Sequence, residues 1–325
     1  MEKVSSPAGN PSAAVWLSRL GRWFVENPAP AVLFSTLAAT FFYFFCVFKL
    51  DGALPVGHWA WLRWSPGYDM EHGKFVPLIT LFLVWYHRDA LWSAPKGGSN
   101  MGLGFVALGV VFFILATRCV QPRVALGAVP FLLFGSVYYV WGWKTARILL
   151  FPLAFLIFMI PVAALEQATF RLQFIITAAV KMLATVGGIG VQSIGTTLVA
   201  TDQSFNFEIA EGCSGVRSLT AMTMLAAIFV HLTQNRLWKK GTIFAFSAVF
   251  AIIGNIGRIF TVILVAKFYD PKIAGGIYHD YSGYVFFPIA VAAMLGFSKL
   301  VNTDLDSLKS DGRKALEKEN ISYDY

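Results

Sequence analysis

The sequence predicts an all-α, multi-pass membrane protein with about eight transmembrane helices, and three observations lead to this fold class. Of the 325 residues, 57% are hydrophobic and 14% are charged, whereas soluble domains carry about a quarter charged residues. Aromatic residues are abundant, with 30 Phe and 10 Trp, as is typical of lipid-facing and interfacial surfaces. Apolar runs close to the ~20 residues needed to cross the hydrocarbon recur along the chain, which leaves almost no sequence for a soluble domain.

These apolar runs define eight candidate spans. In chain order they are residues 27–48, 75–92, 97–117, 124–143, 148–165, 213–232, 241–266 and 281–299. The second is interrupted near its end by His87, Arg88 and Asp89, which makes it the weakest. The fifth contains Pro152 and Pro161, and we expect kinks there because proline removes a helical hydrogen bond.

Positive charge sets the predicted orientation. With the N-terminus in the cytoplasm, 15 of the 26 Lys and Arg residues fall on that side and nine on the other, in keeping with the positive-inside rule. We expect residues 1–26 to form a cytoplasmic segment without a cleavable signal peptide, residues 27–302 the membrane domain, and residues 303–325 a cytoplasmic tail. Nucleic-acid binding is disfavoured despite the net charge of +8, because no run of Lys and Arg forms a binding stripe.

The segment between the fifth and sixth predicted spans has a different character. Residues 166–185 place apolar residues at helical spacing together with Glu166, Arg171 and Lys181, which predicts an interfacial helix. Residues 191–209 are rich in Thr, Val and Phe, with turn residues at 202–204. That pattern predicts a small extracytoplasmic β-hairpin.

Arg258 is the only charged residue in the seventh predicted span. It lies nine residues before Lys267, hence roughly 13 Å from the predicted outer end of the helix. An arginine that snorkels to the interface is the plain alternative. The depth of Arg258 and the nearby Asn255 favour a buried role, and ionisable residues within a bilayer are functional candidates.

The sixth predicted span opens with Cys213, preceded by Glu211 and followed by Arg217. A helix N-terminus and a nearby cation both favour the thiolate, which is the nucleophilic form of cysteine. An inert buried thiol is the alternative for Cys213. We assign that inert role to Cys46, within a helix rich in Phe, and to Cys119.

The eighth predicted span is preceded by His279, whose ordinary pKa near 6.5 suits the proton transfer that a cysteine nucleophile requires. A structural histidine is the alternative. The predicted orientation brings Cys213 and His279 to the outer boundary, with Arg258 just below.

His72, at the start of the second predicted span, falls at the same face and is a candidate for binding substrate or orienting another residue. No metal-binding motif such as His-Glu-x-x-His occurs, so we expect no cofactor.

The blocks that hold these residues resemble the exosortase/archaeosortase family. They are Cys-Ser-Gly-Val-Arg at 213–217, Asn-Ile-Gly-Arg at 255–258 and His-Asp-Tyr-Ser-Gly at 279–283. Two earlier stretches are also similar to that family, His-Gly-Lys-Phe-Val-Pro-Leu at 72–78 and the Pro-containing residues 151–161. The resemblance covers roughly residues 65–300 in the family's order, with Gly212 standing where alanine is common.

The resemblance implies a membrane-embedded cysteine endopeptidase or transpeptidase in a bacterial inner membrane. Its implied substrates are exported, membrane-anchored proteins whose C-terminal sorting signal has a short motif, an apolar helix and a basic cluster. By the same resemblance Cys213 is the nucleophile, Arg258 stabilises the oxyanion and His279 transfers the proton. His72, Arg217, Asn255 and Glu211 are the supporting candidates.

Two other classes of function remain as alternatives. A transporter or scaffold for polysaccharide or protein export would place polar residues along a whole helix face, which the first, third, fourth and fifth predicted spans lack. A thiol–disulfide exchanger would use Cys119 and Cys213, but that chemistry usually relies on a closely spaced cysteine pair.

Overall fold

A computed structural model describes residues 18, 21–22, 24–26, 28–50, 54–65, 68, 70–161, 163–208 and 215–303. The chain divides into two units, Met1–Pro161 and Val162–Tyr325, and helices dominate both. Most of the predicted N-terminal segment, Glu211, Cys213 and all but the first residue of the predicted C-terminal tail lie outside the described residues.

The first unit is a series of helices of very different length. In order they are α1 Pro28–Phe42 with a π-helical turn Tyr43–Val47, α2 Val56–Arg63, a 3₁₀ turn Glu71–Lys74, α3 Val76–Tyr86, α4 Arg88–Ser93, α5 Met101–Arg118, α6 Pro122–Trp141, α7 Trp143–Phe155 and a 3₁₀ turn Leu156–Met159. The helices α5 and α6 pack backbone to backbone. A Cβ on Gly135 would lie 2.6 Å from the Val106 amide nitrogen, so glycine is required where the two helices meet.

The second unit combines long helices with a small sheet. Its elements are α8 Ala163–Val186, strands β1 Val191–Ile194, β2 Thr197–Ala200 and β3 Asn206–Glu208, helices α9 Val216–Thr233 and α10 Leu237–Phe268, short helical turns Pro271–Ile273 and Ala274–Tyr278, and α11 His279–Asn302. The strands form an antiparallel sheet in the order β1-β2-β3.

Among the described residues, five helices are long and apolar enough to cross a membrane. They are Met101–Arg118, Pro122–Trp141, Val216–Thr233, Leu237–Phe268 and Pro271–Asn302, which correspond to the third, fourth, sixth, seventh and eighth predicted spans. The first and second predicted spans contain shorter apolar helices, Ala38–Val47 and Val76–Tyr86. The predicted count of eight spans is therefore not confirmed, whereas the helical, multi-pass character is.

Local chemistry explains why two predicted spans are interrupted. The second breaks at His87, where the backbone leaves the helical region and Arg88 Nη1 donates to the Trp85 carbonyl at 3.1 Å. The fifth is divided between α7, a 3₁₀ turn and α8. The break falls at Ile160, which is extended at φ −84°, ψ 118°, as expected for a residue that precedes proline.

The segment between α7 and α9 confirms the predicted helix and extends the predicted β structure. A helix covers residues 163–186. The β-hairpin prediction was short by one strand, because the chain turns at Gly195 (φ +62°) as well as at residues 201–204. Asp202 fixes the second turn, where its Oδ1 accepts from the Ser204 amide at 3.2 Å and the Ser204 hydroxyl at 2.7 Å.

Two apolar clusters in the second unit share α10. The sheet-side cluster packs α8 and the sheet against the last third of α10, and includes Ile176, Val180, Leu198, Phe205, Ile259, Ile263 and Ala266. The helix-side cluster packs α9, α10 and α11 together, and includes Met222, Ala226, Ile243, Ala251, Ala290 and Met294. The stretch of α10 between Ala251 and Ile259 lies between the two clusters, and it carries Asn255 and Arg258.

Candidate active site

Arg258 is bound by the first turn of α11. Its Nε donates to the Ser282 hydroxyl at 3.0 Å, and its Nη2 donates to the His279 carbonyl at 3.0 Å. The Ser282 hydroxyl donates in turn to the same His279 carbonyl at 3.0 Å. The half-buried guanidinium thus donates hydrogen bonds to a neighbouring helix. This geometry differs from that of an arginine that extends along its own helix toward the interface.

A narrow crevice lies beside this guanidinium, between α9, α10 and α11. Its lining includes Ser218, Asn255, Arg258, Gly283 and Phe286. A Cβ on Gly283 would lie 3.9 Å from Arg258 Cζ, at ordinary van der Waals distance. A side chain larger than glycine or alanine at that position would compete with the guanidinium for the space.

His279 is the first residue of α11 and follows an irregular turn. The preceding Gly276 has non-helical angles of φ −104°, ψ −112°, which a residue without Cβ adopts most easily. The His279 ring Nδ1 lies 3.3 Å from Asp280 Oδ1, and the two side chains are 30% and 74% exposed. When Nδ1 carries the proton, it can donate a hydrogen bond to Asp280, and Nε2 is then the unprotonated ring nitrogen, which is the tautomer that a general base needs.

Asn255 lies directly beneath the N-terminus of α9. It is 4% exposed, and an ideal Cβ on Gly215 would be 2.7 Å from Asn255 Nδ2. Gly215 adopts the left-handed conformation at φ +78° and immediately precedes α9. Both its conformation and its contact with Asn255 therefore require glycine. Arg217 is exposed in the first turn of α9.

His72 belongs to the first unit, in the 3₁₀ turn before α3. Burial lowers its pKa, opposed by a hydrogen bond to the backbone of Phe158 and by the charge of Glu71. The neighbouring Trp64 Nε1 donates to the Met159 carbonyl at 2.8 Å, so both side chains reach the 3₁₀ turn Leu156–Met159. The His72 Nε2 is buried without a hydrogen-bond partner among the described residues.

The structure therefore brings two predicted residues, Arg258 and His279, into contact and places Asn255 beside them. Ser282 was missed as a candidate. The signal available in the sequence was its position three residues after His279, on the same face of a helix. Cys46 and Cys119 are both exposed, which corrects the expectation of a buried thiol at position 46.

Comparison with known proteins gives one match. A family model described as transmembrane exosortase matches residues 61–296, more than half of the chain, including all three blocks around Cys213, Arg258 and His279. No curated protein and no solved structure matches the chain.

Proposed function

The chain belongs to the transmembrane exosortase family, and we propose that it is a membrane cysteine endopeptidase or transpeptidase that cleaves C-terminal sorting signals of exported proteins. The observation that carries the proposal is the Arg258 guanidinium bound to the first turn of α11, the turn that also begins with His279. A cation held at this depth by hydrogen bonds is suited to developing negative charge.

In this proposal His279 takes the proton of the Cys213 thiol, and the resulting thiolate attacks the carbonyl carbon of the scissile peptide bond. The carbon–sulfur bond forms and the carbonyl oxygen becomes an oxyanion, which accepts hydrogen bonds from Arg258. Collapse of this intermediate breaks the carbon–nitrogen bond, and the leaving amine takes a proton from His279. Water or an amine acceptor then attacks the thioester and gives up a proton to His279; the carbon–sulfur bond breaks, and the sulfur takes that proton to restore the thiol.

Two features of the described residues support these roles. The Arg258 Nη1 has no partner within the described part of the chain, so it retains donors for an oxyanion. The His279 ring lies beside Asp280 at 3.3 Å, an arrangement in which a carboxylate can orient the imidazole. Asn255, Arg217 and Glu211 would support the start of α9, and His72 would support the substrate.

The membrane would add to this chemistry by holding the substrate. A sorting signal with its own apolar helix lies in the same bilayer as α9, α10 and α11, which reduces the search for the scissile bond to two dimensions. We propose that both termini are cytoplasmic and that cleavage occurs at the extracytoplasmic face, because the Lys and Arg bias favours that orientation.

Replacing Cys213 tests the proposal. The probe is a co-expressed substrate that ends in a short motif, an apolar helix and a basic cluster, with cleavage followed by its change in mass. Cys213→Ala and Cys213→Ser should abolish cleavage while the protein remains in the membrane fraction. Cys46→Ala and Cys119→Ala are the matched controls and should cleave as the wild type does. Unchanged cleavage by Cys213→Ala would overturn the proposal.

A further inference from the structure

We propose that Ser282 is a positioning residue for Arg258. Together with the His279 carbonyl it holds one edge of the guanidinium, so that the opposite edge faces the reacting carbonyl. This inference rests on the proposed function, and it adds to it a specific residue, a specific edge of Arg258 and a distinct kinetic signature.

The geometry assigns the two edges of the guanidinium different partners. An arginine can present Nε–H and one Nη2–H as a parallel pair, or one Nη1–H and the other Nη2–H as a second pair. In this structure the first pair is used within the protein, since Nε donates to Ser282 Oγ and Nη2 to the His279 carbonyl. The second pair is the one available for a ligand.

The Ser282 hydroxyl is oriented for this task. Its proton goes to the His279 carbonyl, which lies three residues earlier in the same helix. An oxygen lone pair is therefore directed to the Arg258 Nε, because a hydroxyl has one donor and two acceptor positions. Ser282 is 4% exposed, so water has little access to replace the hydroxyl as the acceptor.

The same carbonyl connects the two candidate catalytic side chains. The His279 carbonyl accepts from both Arg258 and Ser282, and the His279 ring is the proposed proton carrier. Rotation of the guanidinium away from α11 would break this shared contact. We therefore expect loss of Ser282 to misplace the oxyanion donors in the transition state while leaving substrate binding largely unchanged.

The chain offers a matched control for this experiment. Ser298 lies on the same helix and is equally buried, at 4% exposure, but among the described residues its hydroxyl has a single hydrogen bond, accepted from Asn302 Nδ2 at 3.4 Å. In purified protein, Ser282→Ala should lower kcat about 10- to 100-fold with little change in KM, as expected for a misplaced catalytic group. Ser298→Ala should change kcat less than about twofold. Ser282→Thr keeps the hydroxyl and should recover most of the loss.

A double-mutant cycle with Arg258→Lys separates positioning from a purely structural role. Lysine has no Nε–H edge for Ser282 to hold, so Ser282→Ala should reduce kcat little further in the Arg258→Lys background. Fully additive losses would overturn the inference, as would equal activity of Ser282→Ala and Ser298→Ala. Either result, obtained with Cys213→Ala inactive, leaves the proposed function intact. Activity in Cys213→Ala would instead overturn the proposed function itself.

Discussion

The helices α10 and α11 are joined by side-chain hydrogen bonds at two places that differ in depth. At one end Lys239, in the first turn of α10, donates from Nζ to Asn302 Oδ1 at 2.9 Å, and this contact is exposed. Arg258 lies 21 residues into α10 and bonds Ser282 and His279 at a half-buried position. A cation at a helix end stays hydrated, whereas one far from the end needs the partners that the protein supplies.

The packing around the two junctions differs in the same way. Near the Lys239 junction aromatic rings fill the space between the helices, with Phe246 and Phe297 stacked at 4.6 Å. Near Arg258 the helices approach through small residues, and a Cβ on Gly254 would lie 3.2 Å from the Ala290 Cβ. Position along the helix, more than the presence of a charge, therefore distinguishes the candidate catalytic cation.

Arg258→Ala should break this distinction with the largest effect. The change removes the cation but leaves the Ser282 hydroxyl bonded to the His279 carbonyl, so no new unsatisfied group is created in α11. We expect cleavage to fall by at least about 100-fold, the effect typical of removing an oxyanion donor. Cleavage of the co-expressed substrate is the measurement, and the amount of protein in the membrane is the control. Activity within tenfold of the wild type would mean that Arg258 is structural.

Asp202→Asn should have an intermediate effect on cleavage and stability. Asp202 lies in the turn between β2 and β3, where it pairs with Lys267 at the opposite end of α10. The Lys267 hydrogen bond and those from Ser204 hold the pKa of Asp202 well below its usual range. Because the pKa of Asp202 is lower in the folded than in the unfolded chain, where it is near 3.9, ionised Asp202 stabilises the fold above about pH 3.9. This contribution is lost as the pH falls through the folded-state pKa.

Thermal unfolding in detergent at pH 6 and pH 3 measures that contribution. The wild type should lose more stability on acidification than Asp202→Asn, and cleavage at neutral pH should change less than about fivefold because exposed ion pairs contribute little. Lys267→Met added to Asp202→Asn should not alter the pH dependence further. If the wild type and Asp202→Asn lost stability equally on acidification, the lowered pKa of Asp202 would contribute nothing to the stability of the fold.

The sequence was sufficient for the features that depend on long uniform patterns. Helices α9, α10 and α11 were predicted because apolar residues run almost without interruption through each, and Arg258 was conspicuous as a single charge. The interruptions of the second and fifth predicted spans were not predicted, because the breaks at His87 and Ile160 depend on one or two residues within apolar runs. The additional strand was missed because its turn rests on Gly195 alone.

The candidate site shows the same limit. His279 and Arg258 carry chemistry that can be recognised by residue type, whereas Ser282 becomes a candidate only when its distance to Arg258 is known. The edge of the guanidinium that is available depends on which acceptors surround it, and a linear sequence does not contain that information. Position 215 is another example, because the need for glycine there comes in part from its contact with Asn255, which lies on a different helix.

Lys239→Ala should have the smallest effect on cleavage and stability of the variants at the α10–α11 contacts. Its hydrogen bond to Asn302 is exposed, so its loss should change stability by about 0.5 kcal/mol or less and cleavage by less than about twofold. Arg236 and Lys240 remain beside it, so the positive charge on which the proposed orientation of α10 depends is largely kept. The measurements are thermal unfolding and substrate cleavage, made together with Arg258→Ala. If both variants lost activity equally, any cation joining α10 to α11 would serve, and depth would not be what distinguishes Arg258.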